Sequence, residues 1–80
     1  MIHGVDMSMV SNPRHYDGDG TIRCRDALES MMTRSSVNAS AAYYWGCAFK
    51  YLWRWEHKGG MQDLYKCRQC IDMLIENMEQ

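Results

Sequence analysis

Eighty residues are enough for one folded domain and too few for two, because each half would lack the interior needed to offset a backbone ordering cost of roughly 1–2 kcal/mol per residue. Hydrophobic residues make up 46% of the chain and charged residues 24%, with a single proline, a globular composition that excludes disorder over most of the length. The formal net charge of −1 gives no broad field for duplex nucleic acid or an anionic membrane, and leaves room only for a local cationic patch.

Residues 1–11 read as a flexible N-terminal arm. It lacks a basic leader followed by a hydrophobic core, and no apolar stretch approaches the ~20 residues of a membrane span, so a cytoplasmic protein is expected. Residues 12–80 then form a single helical domain. Asn12-Pro13 fixes an extended or turning backbone, and Asp17-Gly18-Asp19-Gly20 is a turn. Thr21 to Cys24 could form a short extended piece. From about Arg23 to Arg34, Ala27, Leu28, Met31 and Met32 recur at helical spacing, with Asp26 and Glu29 toward the N-terminal end. Asn38 or Ser40 can cap a second helix running from about Ala39 to His57 and stopped by Gly59-Gly60. Its stripe is Ala41, Trp45, Ala48, Leu52 and Trp55, with Tyr44, Tyr51 and Trp53 placed away from it. A third helix, from about Met61 to Glu79, presents Leu64, Cys67, Ile71, Leu74, Ile75 and Met78 on one side and Asp63, Lys66, Arg68 and Asp72 largely elsewhere. The expected fold is mainly α: three helices behind an irregular N-terminal arm. Aromatic residues around much of the second helix predict packing into a homo-oligomer.

Cys24, Cys47, Cys67 and Cys70 are expected to be free thiols in a reducing compartment. Cys67-Arg68-Gln69-Cys70 lies inside a helix with no second pair and no suitably spaced histidine, so no zinc site is expected. Lys50 and Arg54 stand one helical turn apart, with His57 or Lys58 continuing the edge. Their heads can converge on a phosphate, since arginine offers a planar fork and lysine a compact charge. The plain alternative is a solvated cationic face. His15 and Tyr16 follow the proline in a loop, where they could contact a ligand or merely tie the N-terminal segment down. Asp26, Glu29 and Asp63 are candidates for Mg²⁺ held beside a phosphate. No Walker sequence is present, which excludes a conventional P-loop kinase.

Four short segments carry a resemblance in their order and spacing: Asn12-Pro13-Arg14-His15-Tyr16, Cys24-Arg25-Asp26-Ala27-Leu28-Glu29, Lys50-Tyr51-Leu52-Trp53-Arg54 and Asp63-Leu64. Over residues 12 to about 77 the chain resembles a small phage-encoded domain family of unknown function, written as Asn-Pro-x-His-Tyr followed by Lys-Tyr-x-x-Arg. Some members are labelled nucleotide kinase-like. The resemblance implies a nucleotide or other phosphate-bearing ligand, with Mg²⁺, at His15, Tyr16, Asp26, Glu29, Lys50, Tyr51, Arg54 and Asp63, to which the cationic edge of the second helix adds Lys58, and extends to Walker-less nucleotide kinase activity in the host cell cytoplasm. Gly46-Cys47 departs from the family's usual Gly-Asn. The alternative is a non-catalytic phage protein that binds a host protein or sequesters a nucleotide signal, through aromatic and methionine surface.

Overall fold

The computed structural model describes residues 18–80, in which three helices follow one another: α1, Cys24–Met32; α2, Ala39–Arg54; and α3, Met61–Met78. No strand occurs among the described residues, and the segment before α1 is a series of bends rather than an extended piece. The mainly helical, three-helix expectation therefore holds for this part of the chain. The arm expected at 1–11, together with His15 and Tyr16, lies outside the described residues.

Local chemistry sets each boundary. The Asp19 carboxylate accepts from the Thr21 N–H at 2.8 Å, closing a turn of the kind aspartate favours. α1 ends at Met32, two residues short of the expected Arg34, because Ser35 donates to the Met32 carbonyl at 2.9 Å. The Thr33 hydroxyl also donates to the Glu29 carbonyl at 2.8 Å. Of the two candidate caps for α2, Asn38 does the work: its side-chain oxygen accepts from the Ala41 N–H at 2.8 Å. α2 stops at Arg54, and Trp55–His57 form a 3₁₀ turn instead of continuing the helix as expected. That turn lets the Trp55 carbonyl accept from the Gly60 N–H at 2.7 Å. Gly60, at φ 57° and ψ −138°, takes a conformation open in practice to glycine alone and launches α3.

The short turn makes α2 and α3 an antiparallel hairpin. Its contacts run in one register: Arg54 meets Asp63, Tyr51 meets Lys66, and the Cys67 thiol donates to the Ala48 carbonyl at 3.3 Å. Tyr44 and Met73 share a small surface depression further along. The buried apolar residues, Cys24, Ala41, Ala48 and Cys67, are all small, so the backbones can approach closely while the large side chains lie flat at the margins. α1 packs on the other side of α2. Leu28 and Met32 reach Gly46, where a Cβ would stand 3.7 Å from the tip of each. Gly46 and Ala48 point about 200° apart around the helix, so α2 has two contact faces rather than one.

This arrangement corrects the expected stripe. Leu52 is 56% exposed and Trp55 is exposed as well, whereas Tyr44, Tyr51 and Trp53 are half-buried. A single apolar face on α2 would have needed its partners on one side, and they lie on two. On α3, Cys67 is buried as expected, but Ile71, Ile75 and Met78 are exposed and Asp63 is only 2% exposed. The face that meets α2 is thus turned toward Asp63, Cys67, Cys70 and Leu74.

Candidate functional site

Arg54 and Asp63 hold the closed end of the hairpin. Arg54 Nε donates to Asp63 Oδ2 at 3.0 Å and Nη2 to Oδ1 at 3.3 Å, a two-pronged pair, and the Gly59 N–H donates to Oδ2 at 3.1 Å. The pair can form because Gly59 presents no side chain: a Cβ there would overlap the carboxylate. The Arg54 hydrogen bonds hold the Asp63 carboxyl below its ordinary value of 3.8, with further lowering from the charge of Arg54, the Gly59 N–H and the charge of Lys66, against a contrary push from burial.

Next to this pair lies an open cavity of about 80 Å³ lined by Cys47, Lys50, Tyr51 and Arg54. All four residues come from one side of α2, as the one-turn spacing of Lys50 and Arg54 requires. The Tyr51 ring gathers two cations, the Arg54 guanidinium 5.0 Å and the Lys66 ammonium 5.8 Å from its centroid, close enough for attraction to the ring's negative face. Lys50 is exposed at the mouth and also acts electrostatically on the Cys24 thiol at the start of α1. Two cations therefore meet on the Tyr51 ring, Lys50 lines the cavity beside it, and the Asp63 carboxylate is paired with Arg54.

Of the residues expected to bind ligand, the structure brings together Lys50, Tyr51 and Arg54. Lys58 is exposed in the turn beyond the 3₁₀ segment and does not line the cavity. His57, expected on the same edge, is exposed beside Glu56 at 3.8 Å, a surface contact worth little. Ending α2 at Arg54 swings both away from the lysine–arginine edge. Asp26 and Glu29 are exposed on α1, and Asp63 is engaged by Arg54 and Gly59. Among the described residues no group of three or more His, Cys, Asp or Glu side chains is placed to hold a metal ion. Cys47, noted in the sequence only as a departure from the family's usual Gly-Asn, lines the cavity, and Lys66, not among the sequence candidates, meets the Tyr51 ring. The antiparallel register would have found Lys66, because a turn closing Arg54 on Asp63 sets residue 66 against residue 51.

The four thiols are free. Burial raises Cys24 and Cys67 above their ordinary value, and Cys70 is raised by burial together with its neighbours Cys47 and Cys67. Such thiols are mostly protonated at neutral pH, which slows their attack as nucleophiles and disfavours metal binding.

The described residues form three helices with a cationic depression along one edge of the hairpin. The family model for a protein of unknown function (DUF3310) matches residues 10–72, and the chain belongs to that family. No curated protein matches the chain, and no solved structure does. Among the described residues no helix is long and apolar enough to cross a membrane.

Proposed function

We propose that this chain binds the phosphate group of a small ligand, a nucleotide in the first instance, in the depression beside Lys50, Tyr51 and Arg54. The observation that carries the reading is the cavity lined by Lys50, Tyr51 and Arg54, with Lys66 over the same tyrosine ring and the Asp63 carboxylate paired with Arg54. At about 80 Å³ the cavity is far below the roughly 300–1,000 Å³ of pockets that engulf a whole drug-sized ligand. It suits a phosphate, with the remainder of the ligand lying across the surface. Tyr51 works here as a holder of cations rather than as a platform for a base, since stacking a base would compete with Arg54 and Lys66.

A phage setting, action in the host cytoplasm, Mg²⁺ at the phosphate and phosphoryl transfer between nucleotides form the finer reading, supported by the sequence resemblance. In transfer the lysines would offset charge on the moving phosphoryl group, which is the main demand of that chemistry. The test is a thermal-shift and calorimetric titration with inorganic phosphate and nucleoside mono-, di- and triphosphates, with and without Mg²⁺. Lys50→Ala with Lys66→Ala should remove binding and leave the circular dichroism helical, while Lys58→Ala should bind as the parent does. Arg54 is the wrong residue to remove, because its loss strands a buried carboxylate. Equal binding by the double variant would end the proposal. A nucleoside monophosphate converted to the diphosphate with ATP would carry it on to kinase activity.

A second reading is favoured by α3, whose outward side carries Ile71, Ile75 and Met78 exposed at helical spacing. That stripe suits a second copy of the chain or a host protein. Light scattering that finds a monomer at micromolar concentration, with no protein retained from host extract, would remove this reading and leave the first intact.

A further inference from the structure

The hairpin register has a consequence at the turn that lies between its two described ends. Arg54 pairs with Asp63, one turn back along α2 Tyr51 meets Lys66, and near the far end Tyr44 and Met73 line one depression. The turn between Tyr51 and Tyr44 on α2 presents Cys47, and the turn between Lys66 and Met73 on α3 presents Cys70. Nothing bulky holds the helices apart here. Ala48 stands next to Cys47, and the Cys67 thiol, one turn before Cys70, reaches the Ala48 backbone carbonyl at 3.3 Å. A side chain as short as cysteine touching the opposite backbone means axes near the lower end of the usual ~8–10 Å range. A disulfide bridges a Cα separation of about 4.4–6.8 Å, the kind of span that residues facing each other across so narrow a gap offer.

We propose that Cys47 and Cys70 are a reversible disulfide site that cross-links α2 to α3 at the wall of the Lys50–Tyr51–Arg54 depression when a low-molecular-weight disulfide such as oxidised glutathione is present. The pair is reduced in the structure. Cys47 lines the open cavity, so its sulfur is the one a soluble disulfide can reach. Its thiolate attacks one sulfur of oxidised glutathione, forming a mixed disulfide and releasing one glutathione thiolate. The Cys70 thiolate then attacks the Cys47 sulfur, forming the intrachain bond and expelling the second glutathione. Two cysteine thiols lose their protons to solvent and the two released glutathiones take protons up, so the protein pair is oxidised and the reagent reduced. Cys70 is kept protonated mainly by burial, with the neighbouring Cys47 adding to the effect, which makes it the slower, resolving partner. Cys24 and Cys67 are buried and take no part. The inference stands apart from the anion reading, since it needs only the register.

The test is a non-reducing tryptic map of the full chain after exposure to oxidised glutathione. Cleavage after lysine and arginine puts Cys47 in Ser35 to Lys50 and Cys70 in Gln69 to Gln80, and leaves Cys24 and Cys67 each in an identical Cys-Arg dipeptide. The expected product is Ser35–Lys50 joined to Gln69–Gln80, from protein that runs as a monomer on a non-reducing gel. The oxidised chain should melt on the order of 10 °C higher, because the bond closes a sizeable loop in the unfolded state. Dithiothreitol should reverse the shift. Cys67→Ser should keep both results and Cys70→Ser should lose both. Glutathione adducts alone, a link to a Cys-Arg dipeptide, or a link between chains would overturn the proposal. The wild-type map decides by itself should Cys70→Ser lose its helicity.

Discussion

Gly59→Ala should destabilise the domain although it adds one methyl group to an exposed turn. The position has no left-handed φ, so alanine's backbone preferences are not offended. What the methyl meets is the Asp63 carboxylate, which occupies the space where the Cβ would go. The carboxylate can swing aside with little steric cost, but in doing so it leaves Arg54 Nε at 3.0 Å, Arg54 Nη2 at 3.3 Å and the Gly59 N–H at 3.1 Å. Charge-assisted hydrogen bonds are roughly twice as strong as neutral ones, and for an 80-residue domain their loss corresponds to a fall in Tm on the order of 10 °C at neutral pH. The pH dependence identifies the cause. Asp63 titrates below its ordinary value of 3.8, so its contribution is complete above that value and is lost as pH falls through the lower, folded-state value. Wild type and variant should therefore differ most at neutral pH and converge in acid. Gly60→Ala is the control: nothing lies within 4 Å of its added Cβ, and its whole cost is the φ of 57°, about 1–3 kcal/mol at every pH. Melting curves by far-ultraviolet circular dichroism, from neutral pH into acid, measure all three proteins. A Gly59→Ala deficit that stays constant across that range would refute the electrostatic account.

Two further substitutions probe α2. Asn38→Ala removes the side-chain oxygen that accepts from the Ala41 N–H and should cost about 0.5–2 kcal/mol, read as a lower Tm or urea midpoint with an unchanged m-value. Gly46→Ala should stabilise by about 0.5–1 kcal/mol, because a mid-helix glycine is costly and the new Cβ would meet Leu28 and Met32 at an ordinary 3.7 Å. A lower Tm in that variant would mean that α1 sits closer to α2 than the structure has it.

The helices were legible because their signals are local. Asn38 before an alanine-rich run, and Gly59-Gly60 between two apolar-periodic segments, mark ends through backbone chemistry that needs no tertiary knowledge. Which faces are buried was less legible. Periodicity identifies one apolar arc, but α2 is contacted by α1 at Gly46 and by α3 at Ala48, so Leu52 falls between partners and Tyr51 falls against one. Asp63 was the hardest to read. A carboxylate in the first turn of a helix ordinarily serves the helix dipole in solvent, and only the glycine turn that folds it onto Arg54 makes it the most deeply buried charged group among the described residues. Of the candidate site, the Lys50–Arg54 spacing was visible from helical geometry alone. The partition of those two charges was not, because it depends on a residue nine positions along the chain.

That partition bears on what the depression can do. Arg54 spends its fork on Asp63, so the charges left to a ligand are chiefly that of Lys50, exposed where it lines the cavity, and that of Lys66, which lies over the Tyr51 ring from α3. Contacts of about 1.5–3 kcal/mol from each of two ammonium groups reach the millimolar range, whereas micromolar affinity needs about 8 kcal/mol. A ligand held only by these residues would be held weakly and with little discrimination among phosphates. Tight or selective nucleotide binding therefore requires a second surface over the cavity mouth, and a cavity of about 80 Å³ open to solvent is a shape that a second surface could close. The depression fixes where a phosphate would sit, and the covering surface would fix which molecule carries it. An affinity that strengthens as chain concentration rises would identify a second copy as that surface, and an affinity independent of concentration would assign the task to another part of the same chain.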